Sequence, residues 1–313
     1  MLELNKIYNY NCLEGLKKLD NESVDCVITS PPYWGLRAYD SSPVIWDAKE
    51  NCIHVWEEIE GTRKLGRDDG YWGGEVGAKV WKKEIKSTKS TKVCSKCGAW
   101  LGELGLEPEK ELYIKHLCDI FDEIKRVLKK TGTIWVNLGD TYSSDNSDLG
   151  SLSQIPSLFS IEMTNRKWRL RNEIIWFKRN ALPSSLTDRF TVDFEKIFFF
   201  TKNKNYYFEK QFEPYSSEDK VYDVRGRNKR CIWDIPLQPL KEDHYASYPP
   251  KLVETCLLAG CPKDGIVLDP FMGSGTTACV AKEYNRNFIG FEINPKYIEL
   301  SERRLKGFFG GLF

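Results

Sequence analysis

The stretch Ile266-Val267-Leu268-Asp269-Pro270-Phe271-Met272-Gly273-Ser274-Gly275-Thr276 limits the folds open to this chain more than any other. An apolar run ending in an acid, a glycine turn and then TTACVAKEY spell strand, tight loop and helix. In an open α/β sheet a ligand sits beyond the carboxyl end of such a strand. Gly273 and Gly275 let backbone approach the ligand closely, and a helix beginning near Thr276 offers its free N–H groups to an anion. The next strand, in NFIGFEIN, ends at Glu292. That is about 20 residues beyond Asp269, the spacing of the acid that holds ribose hydroxyls in dinucleotide sites.

The loop does not match G-x-G-x-x-G, and no G-K-[ST] follows it, so it supplies no phosphate cradle. A ligand with a ribose and a carboxylate fits such a site, and S-adenosylmethionine has both. Taken alone, the same residues also suit a tight strand–helix turn with purely structural glycines.

The rest of the chain has α/β texture with two interruptions. VDCVIT (Val24 to Thr29) predicts a buried strand, stopped by the two prolines of SPPYWG. Leu112, Leu117, Ile120, Phe121, Ile124 and Leu128 form a helical stripe, with Gly132 as its expected stop. TIWVNLGD, RNEIIWFKR and FEKIFFFTK predict strands, and YPPKLVETCLLAG a helix. Strands alternating with helices imply a mainly parallel sheet covered on both faces. Residues 41–107 break this texture with Gly70, Gly73, Gly74, Gly77 and scattered Trp, and predict an insertion outside the sheet. Residues 202–243 are polar, basic and aromatic and form a second irregular region. With 313 residues, 41% of them hydrophobic, the chain has material for one large core. No apolar run reaches membrane-spanning length and the N-terminus is mixed polar, so no secretory signal or span is expected and the thiols are expected reduced, in a cytoplasm.

Thr29-Ser30-Pro31-Pro32-Tyr33-Trp34 follows a strand end, as the glycine loop does. The prolines stiffen the backbone and, lacking N–H groups, leave carbonyls to accept. Ser30 Oγ and the Pro31 carbonyl can both accept from an amino group, and Tyr33 can stack on a flat ring. That set suits an exocyclic amine held for attack. A lone Pro-Pro-Tyr is better read as a proline turn with a packed aromatic.

The two segments together are more specific. Ser-Pro-Pro-Tyr near the start and Asp-Pro-Phe-x-Gly-Ser-Gly-Thr-Thr near the end resemble the beta class of DNA amino-methyltransferases, over Lys6 to Leu305 apart from the irregular regions. The resemblance implies a Rossmann-like, circularly permuted α/β fold with a mainly parallel seven-stranded sheet and irregular insertions. Residues 1–40 and 108–201 would form the catalytic half and 244–313 the cofactor half. Residues 202–243 would be the target-recognition region, and 41–107 a DNA-contact module, stapled by zinc if its cysteines hold one. It places Ser30, Pro31, Pro32 and Tyr33 at the target base. It places Asp269, Pro270, Phe271, Gly273, Ser274, Gly275, Thr276 and Glu292 at S-adenosylmethionine. Asn11 stands where relatives often carry an Asp near the cofactor adenine, and its amide oxygen can still accept from the adenine amine. Ser in the first motif position usually accompanies N4-cytosine methylation and Asp N6-adenine methylation, so a flipped-out cytosine in double-stranded DNA is the expected substrate. The adenine-N6 enzyme, an amino-methyltransferase of RNA or protein, and an inactive zinc-stapled nucleic-acid binder are the alternatives. A homodimer and a cognate restriction endonuclease are compatible partners.

Two features lie outside those motifs. Cys52-x-His54 and Cys94-x-x-Cys97 supply four candidate ligands for a structural zinc, although 39 residues separate the pairs. Cys12 and Cys26 suit core thiols, and Asp140 suits either a pocket lining or a cap. The formal charge is only +1, so DNA binding has to rest on local basic groups. Three stand out: six lysines from Lys79 to Lys92; Arg166, Lys167, Arg169, Arg171, Lys178 and Arg179; and Lys220, Arg225, Arg227, Lys229 and Arg230 with Tyr222 and Trp233.

Overall fold

The first and last parts of the chain meet in the middle of one sheet. In the computed structural model, which describes residues 2–36, 41–59, 91–143, 149–216, 223–238 and 248–307, β2 (Val24–Thr29) pairs in parallel with β13 (Ile266–Asp269), Cys26 opposite Val267. On one side follow β14 (Asn287–Phe291) and β1 (Lys6–Tyr8). On the other follow β7 (Leu128–Leu138), β9 (Phe194–Thr201), β8 (Arg169–Phe177) and β12 (Ile232–Asp234). Only β9 is antiparallel to its neighbours. The mainly parallel α/β sheet is as expected, with eight strands where seven were anticipated. The extra one, β12, comes from the stretch expected to read DNA: Ile232 and Trp233 pair with Ile175 and Trp176 and close the edge.

Apolar alternation explains why the sheet is covered twice. On β9, Phe198 and Phe200 face Phe159 of helix α3 (Ile155–Asn165), while Phe199 stacks on Trp135 of β7 with centroids 4.1 Å apart. All three are essentially buried, the pattern of a strand packed on both faces. The first face carries α1 (Cys12–Lys17), α2 (Lys110–Val127) and α3; the second carries α4 (Pro250–Gly260) and α5 (Thr276–Glu283), against which α6 (Pro295–Gly307) packs. Arg166 ties α3 to α2 through Glu162, Asp119 and Asp122. The α2 stripe is buried as predicted at Leu117, Ile120, Phe121 and Ile124. The helix stops at Val127, not at Gly132, because Leu128 turns extended and enters β7 opposite Val24. No described helix is long and apolar enough to cross a membrane.

The 41–107 insertion forms its own antiparallel sheet, in the order β3 (Val44–Trp46), β6 (Trp100–Gly102), β5 (Thr91–Cys94) and β4 (Trp56–Ile59). It docks on α2 through His116, which is fully buried between the Glu107 and Asp47 carboxylates (3.1 and 3.2 Å) and stacks on Trp46 and Trp100. The glycines at 70–77 and the lysines from Lys79 to Lys89 lie outside the described residues, as do Lys220 and Tyr222.

Phe198 has no exposed surface and sits between Phe159 and Phe200, so Phe198→Ala is expected to cost about 3–5 kcal/mol. Urea unfolding should show a lower midpoint with an unchanged slope.

Candidate active site

Two strand ends and one hydrogen bond build the site. β2 and β13 run in parallel and stop at the same level, which sets the SPPYW loop beside the glycine loop. Thr29, the last residue of β2, donates its hydroxyl proton to Asp269 Oδ1 at 2.7 Å. Asp269 is fully buried and also accepts from Phe271 N–H (3.0 Å), Thr277 Oγ1 (2.7 Å) and Tyr248 OH (2.9 Å). Burial raises its pKa above the usual carboxylate range, and those donors oppose the rise. The acid at the head of the loop is therefore a structural anchor, and the groups able to face a ligand lie beyond it.

Those groups are the loop, Glu292 and the start of α5. Gly273 has φ +52°, and a Cβ there would come no nearer than 3.9 Å to Phe271 O, so the backbone borders open space. Gly275 has φ +83° and lies against Ser301, leaving no room for a side chain. Glu292 Oε2 accepts from Gly273 N–H and Oε1 from Asn294 N–H, each at 2.8 Å, which fixes the carboxylate under the loop. Its desolvated position raises its pKa. Asn11 caps α1: its Oδ1 accepts from Glu14 N–H at 2.9 Å and keeps a second lone pair.

The SPPYW loop is braced from the insertion and α2. Tyr113 donates to the Pro32 carbonyl (2.8 Å), Trp34 Nε1 to the Glu107 carbonyl (3.0 Å), and Gly35 N–H to the Gly105 carbonyl (2.8 Å). Tyr33 then points its hydroxyl into a polar cluster. It donates to Glu195 Oε2 at 2.7 Å and lies 3.1 Å from Asn137 Oδ1. Asn137 Nδ2 donates to the same Glu195 oxygen at 2.9 Å, and Lys178 pairs with Oε1. Ser30 Oγ reaches Tyr33 OH at 3.3 Å and Asn137 Oδ1 at 3.5 Å. A hydroxyl whose proton is spent on Tyr33 or Asn137 turns its lone pairs elsewhere, so the network sets Ser30 as an acceptor. Gly139 makes room for the tyrosine, because a Cβ there would lie 2.6 Å from Tyr33 Cε2. Tyr33, Gly139, Asp140, Lys178, Phe194 and Glu195 line a shallow recess at this end of the sheet.

A family model described as DNA methylase, of the N6/N4 methyltransferase type, matches residues 24–303. The chain belongs to this family. Among curated relatives, the type II methyltransferase M.SmaI of Serratia marcescens is 31% identical over 96% of this chain and 90% of its own length. M.Cfr9I of Citrobacter freundii is 29% identical over 98% and 90%. Among solved structures, the PvuII DNA methyltransferase (cytosine-N4-specific) superposes with a TM-score of 0.63 at 18% identity, covering 97% of this chain and 91% of that one. The M1.HpyAVI complex with S-adenosylmethionine gives 0.51 at 18% identity, over 96% and 99%.

In this DNA methylase the residues expected at the base and at the cofactor fall at adjoining ends of the sheet, and the four candidate zinc ligands gather apart from them, in the small sheet. Asp140 is a cap that also borders the recess: its Oδ1 accepts from Thr141 and Ile155 N–H groups, at the start of α3, and burial raises its pKa. Cys12 and Cys26 are buried thiols, as expected. Asn137, Gly139 and Glu195 were not anticipated, and Lys178 was counted only as a surface cation, whereas 6% of it is exposed. The available signal was a polar residue beside an apolar run in each of two strands, Asn137 after Ile134 to Val136 and Glu195 shortly before Ile197 to Phe200, since a buried Asn or Glu has to find partners. The third basic group is largely paired within itself, Arg227 and Arg230 on Glu213 and Arg225 on Asp223.

Gly139→Ala should push Tyr33 out of register while leaving the chain folded. Because misplacement by about 1 Å can cost on the order of 10²-fold in rate, methyl-transfer turnover should drop by that order, with an unchanged circular dichroism spectrum.

Proposed function

We propose that this chain transfers a methyl group from S-adenosylmethionine to the N4 amine of a cytosine turned out of double-stranded DNA. The Thr29–Asp269 hydrogen bond carries the reading, because it holds the residue before Ser30 against the acid heading the glycine loop. A cofactor at one end and an amine at the other are then neighbours.

The residues at the loop fit the cofactor. Glu292 is a fixed carboxylate for ribose hydroxyls, and the amide groups that open α5, which no side chain caps, suit the methionine carboxylate. Half-buried Phe271 offers an apolar surface beside them, and the remaining lone pair of Asn11 Oδ1 suits the adenine amine. Once bound, S-adenosylmethionine supplies a methyl group on a sulfonium, which needs only a correctly aimed nucleophile.

The chain's own groups aim it. The base must leave the stack for its amine to be reached. Ser30 Oγ and the Pro31 carbonyl accept the two amino hydrogens, which leaves the nitrogen lone pair pointing away from them, and Tyr33 supplies a face for the ring. The proton released on methylation has a way out: Ser30 accepts it and passes its own to Tyr33, which passes one to Glu195. Lys178 offsets the Glu195 charge while it waits. Phe190, 97% exposed on the segment from β8 to β9 near the recess, suits the gap the base leaves in the duplex. Ser30 in place of Asp, and the fold shared with an N4-cytosine enzyme, support cytosine over adenine. Near-complete overlap with type II methyltransferases supports methylation at a defined DNA site.

Incubation with defined duplexes, nuclease digestion and mass analysis of the nucleosides tests the reading. N4-methylcytosine is the expected product; N6-methyladenine would overturn the base assignment alone, and no methylated nucleoside from protein that binds S-adenosylmethionine would overturn DNA as substrate. Ser30→Ala and Tyr33→Ala should each lower turnover on the order of 10²-fold or more, with cofactor binding by calorimetry nearly unchanged.

Glu292 also sets a pH dependence. Ribose hydroxyls donate to its ionised form, and its pKa is raised above the ordinary 4.5 by burial. Affinity for S-adenosylmethionine should therefore be full at neutral pH and fall as pH drops into the window above that ordinary value. Glu292→Gln should bind more weakly at neutral pH and lose this dependence, as titration calorimetry at several pH values would show.

A further inference from the structure

The small sheet contains a second cluster of chemistry that methyl transfer does not use. Cys52, His54, Cys94 and Cys97 bring one ligand atom each to a common point, all four atoms within 4.8 Å of one another. Cys52 and Cys94 Sγ are 4.0 Å apart, and Cys97 Sγ is 3.4 Å from His54 Nδ1. A tetrahedral ion with Zn–S of about 2.3 Å and Zn–N of about 2.0 Å requires edges of about 3.8 Å between sulfurs and about 3.5 Å between sulfur and nitrogen. The Cys52–Cys94 and Cys97–His54 edges are close to those values, the other pairs lie no farther than 4.8 Å apart, and the thiols are not joined as disulfides.

The 39 residues between His54 and Cys94 are no obstacle in the fold. β4 and β5 pair antiparallel with Trp56 opposite Cys94, so most of the gap leaves from the far end of the hairpin, after Ile59, and returns at Thr91. The ligands collect at the near end. Cys94 and Cys97 flank the turn from β5 to β6, closed by Cys94 N–H to the Ala99 carbonyl and Gly98 N–H to the Cys94 carbonyl, both 2.8 Å, with Gly98 at φ +78°.

We propose that Cys52, His54, Cys94 and Cys97 bind one Zn²⁺, which locks the open end of the β4–β5 hairpin. Four protein ligands close the coordination shell, so the ion is structural and leaves no position for substrate. It staples a sheet whose large buried side chains, among the described residues, are chiefly Trp46 and Trp100.

Metal analysis of the untagged full-length protein, purified from zinc-supplemented cells, tests this by plasma mass spectrometry. About one zinc per chain is expected, released by a chelator after thiol modification, and Co²⁺ exchanged into the site should give thiolate-to-metal charge-transfer absorption. Cys94→Ser with Cys97→Ser should lose the metal. His54→Cys should keep it, because four thiolates are an equally closed set, and Cys118→Ser should keep it because that thiol lies elsewhere. Folded wild-type protein that carries no zinc and takes up no Co²⁺ would overturn the proposal, as would a Cys52–Cys94 disulfide found in the purified chain. So would a full equivalent of zinc retained by the Cys94→Ser, Cys97→Ser variant. The wild-type measurements decide the matter even where a variant does not fold.

Discussion

A carboxylate with no access to water holds this protein's site together. Ionised and alone, Asp269 would cost several kcal/mol in such a place, so it exists there only because hydroxyls and an amide converge on it. Those donors come from separate parts of the chain: Thr29 from the end of β2, Tyr248 from just before α4, Phe271 from the loop and Thr277 from α5. Satisfying one buried group thus fixes the distance between the strand that leads into the SPPYW loop and the strand that leads into the glycine loop. The β-pairing places the strands side by side, and the hydrogen bonds of Asp269 set their ends level.

The SPPYW loop depends on a second layer of support. Its prolines leave few backbone donors, so the loop is held by groups that reach in: the Tyr113 hydroxyl, the Gly105 carbonyl and the Glu107 backbone. Glu107 also anchors His116, the point where the small sheet docks. The insertion, outside the main sheet, is in this way part of the scaffold behind Tyr33. A polar cluster of Asn137, Lys178 and Glu195 then orients the Tyr33 hydroxyl in a site sheltered from water, where a hydrogen bond to a charged group is strong.

Much of this was legible in the residues. Periods of two and about four located the strands and helices, and the apolar run FEKIFFFT announced a strand covered on both faces. The glycine loop, Glu292 and the SPPYW segment stood out because each is a local device whose chemistry needs only neighbouring residues, and the fold sets the two loops at neighbouring strand ends. The misreadings share a cause. Leu128 fitted the α2 stripe by spacing, yet tertiary pairing with Val24 drew it into β7. Lys178 looked like a surface cation until Glu195, 17 residues away, was found against it. Ile232–Asp234 looked irregular because an edge strand of three residues has too short a pattern to show a period.

The sequence by itself determined the class of fold and marked out the glycine loop and the SPPYW loop, since these follow from patterns a few residues long. Tertiary structure alone decided that Thr29 and Asp269, 240 residues apart, share a proton, and that Cys52 and His54 meet Cys94 and Cys97. It also decided that Ser30 donates to Tyr33, which donates in turn to Glu195. Each of these is a contact between strands brought together by packing. The free energy that selects it, the need to partner a buried charge or polar group, arises only once the sheet has closed over it.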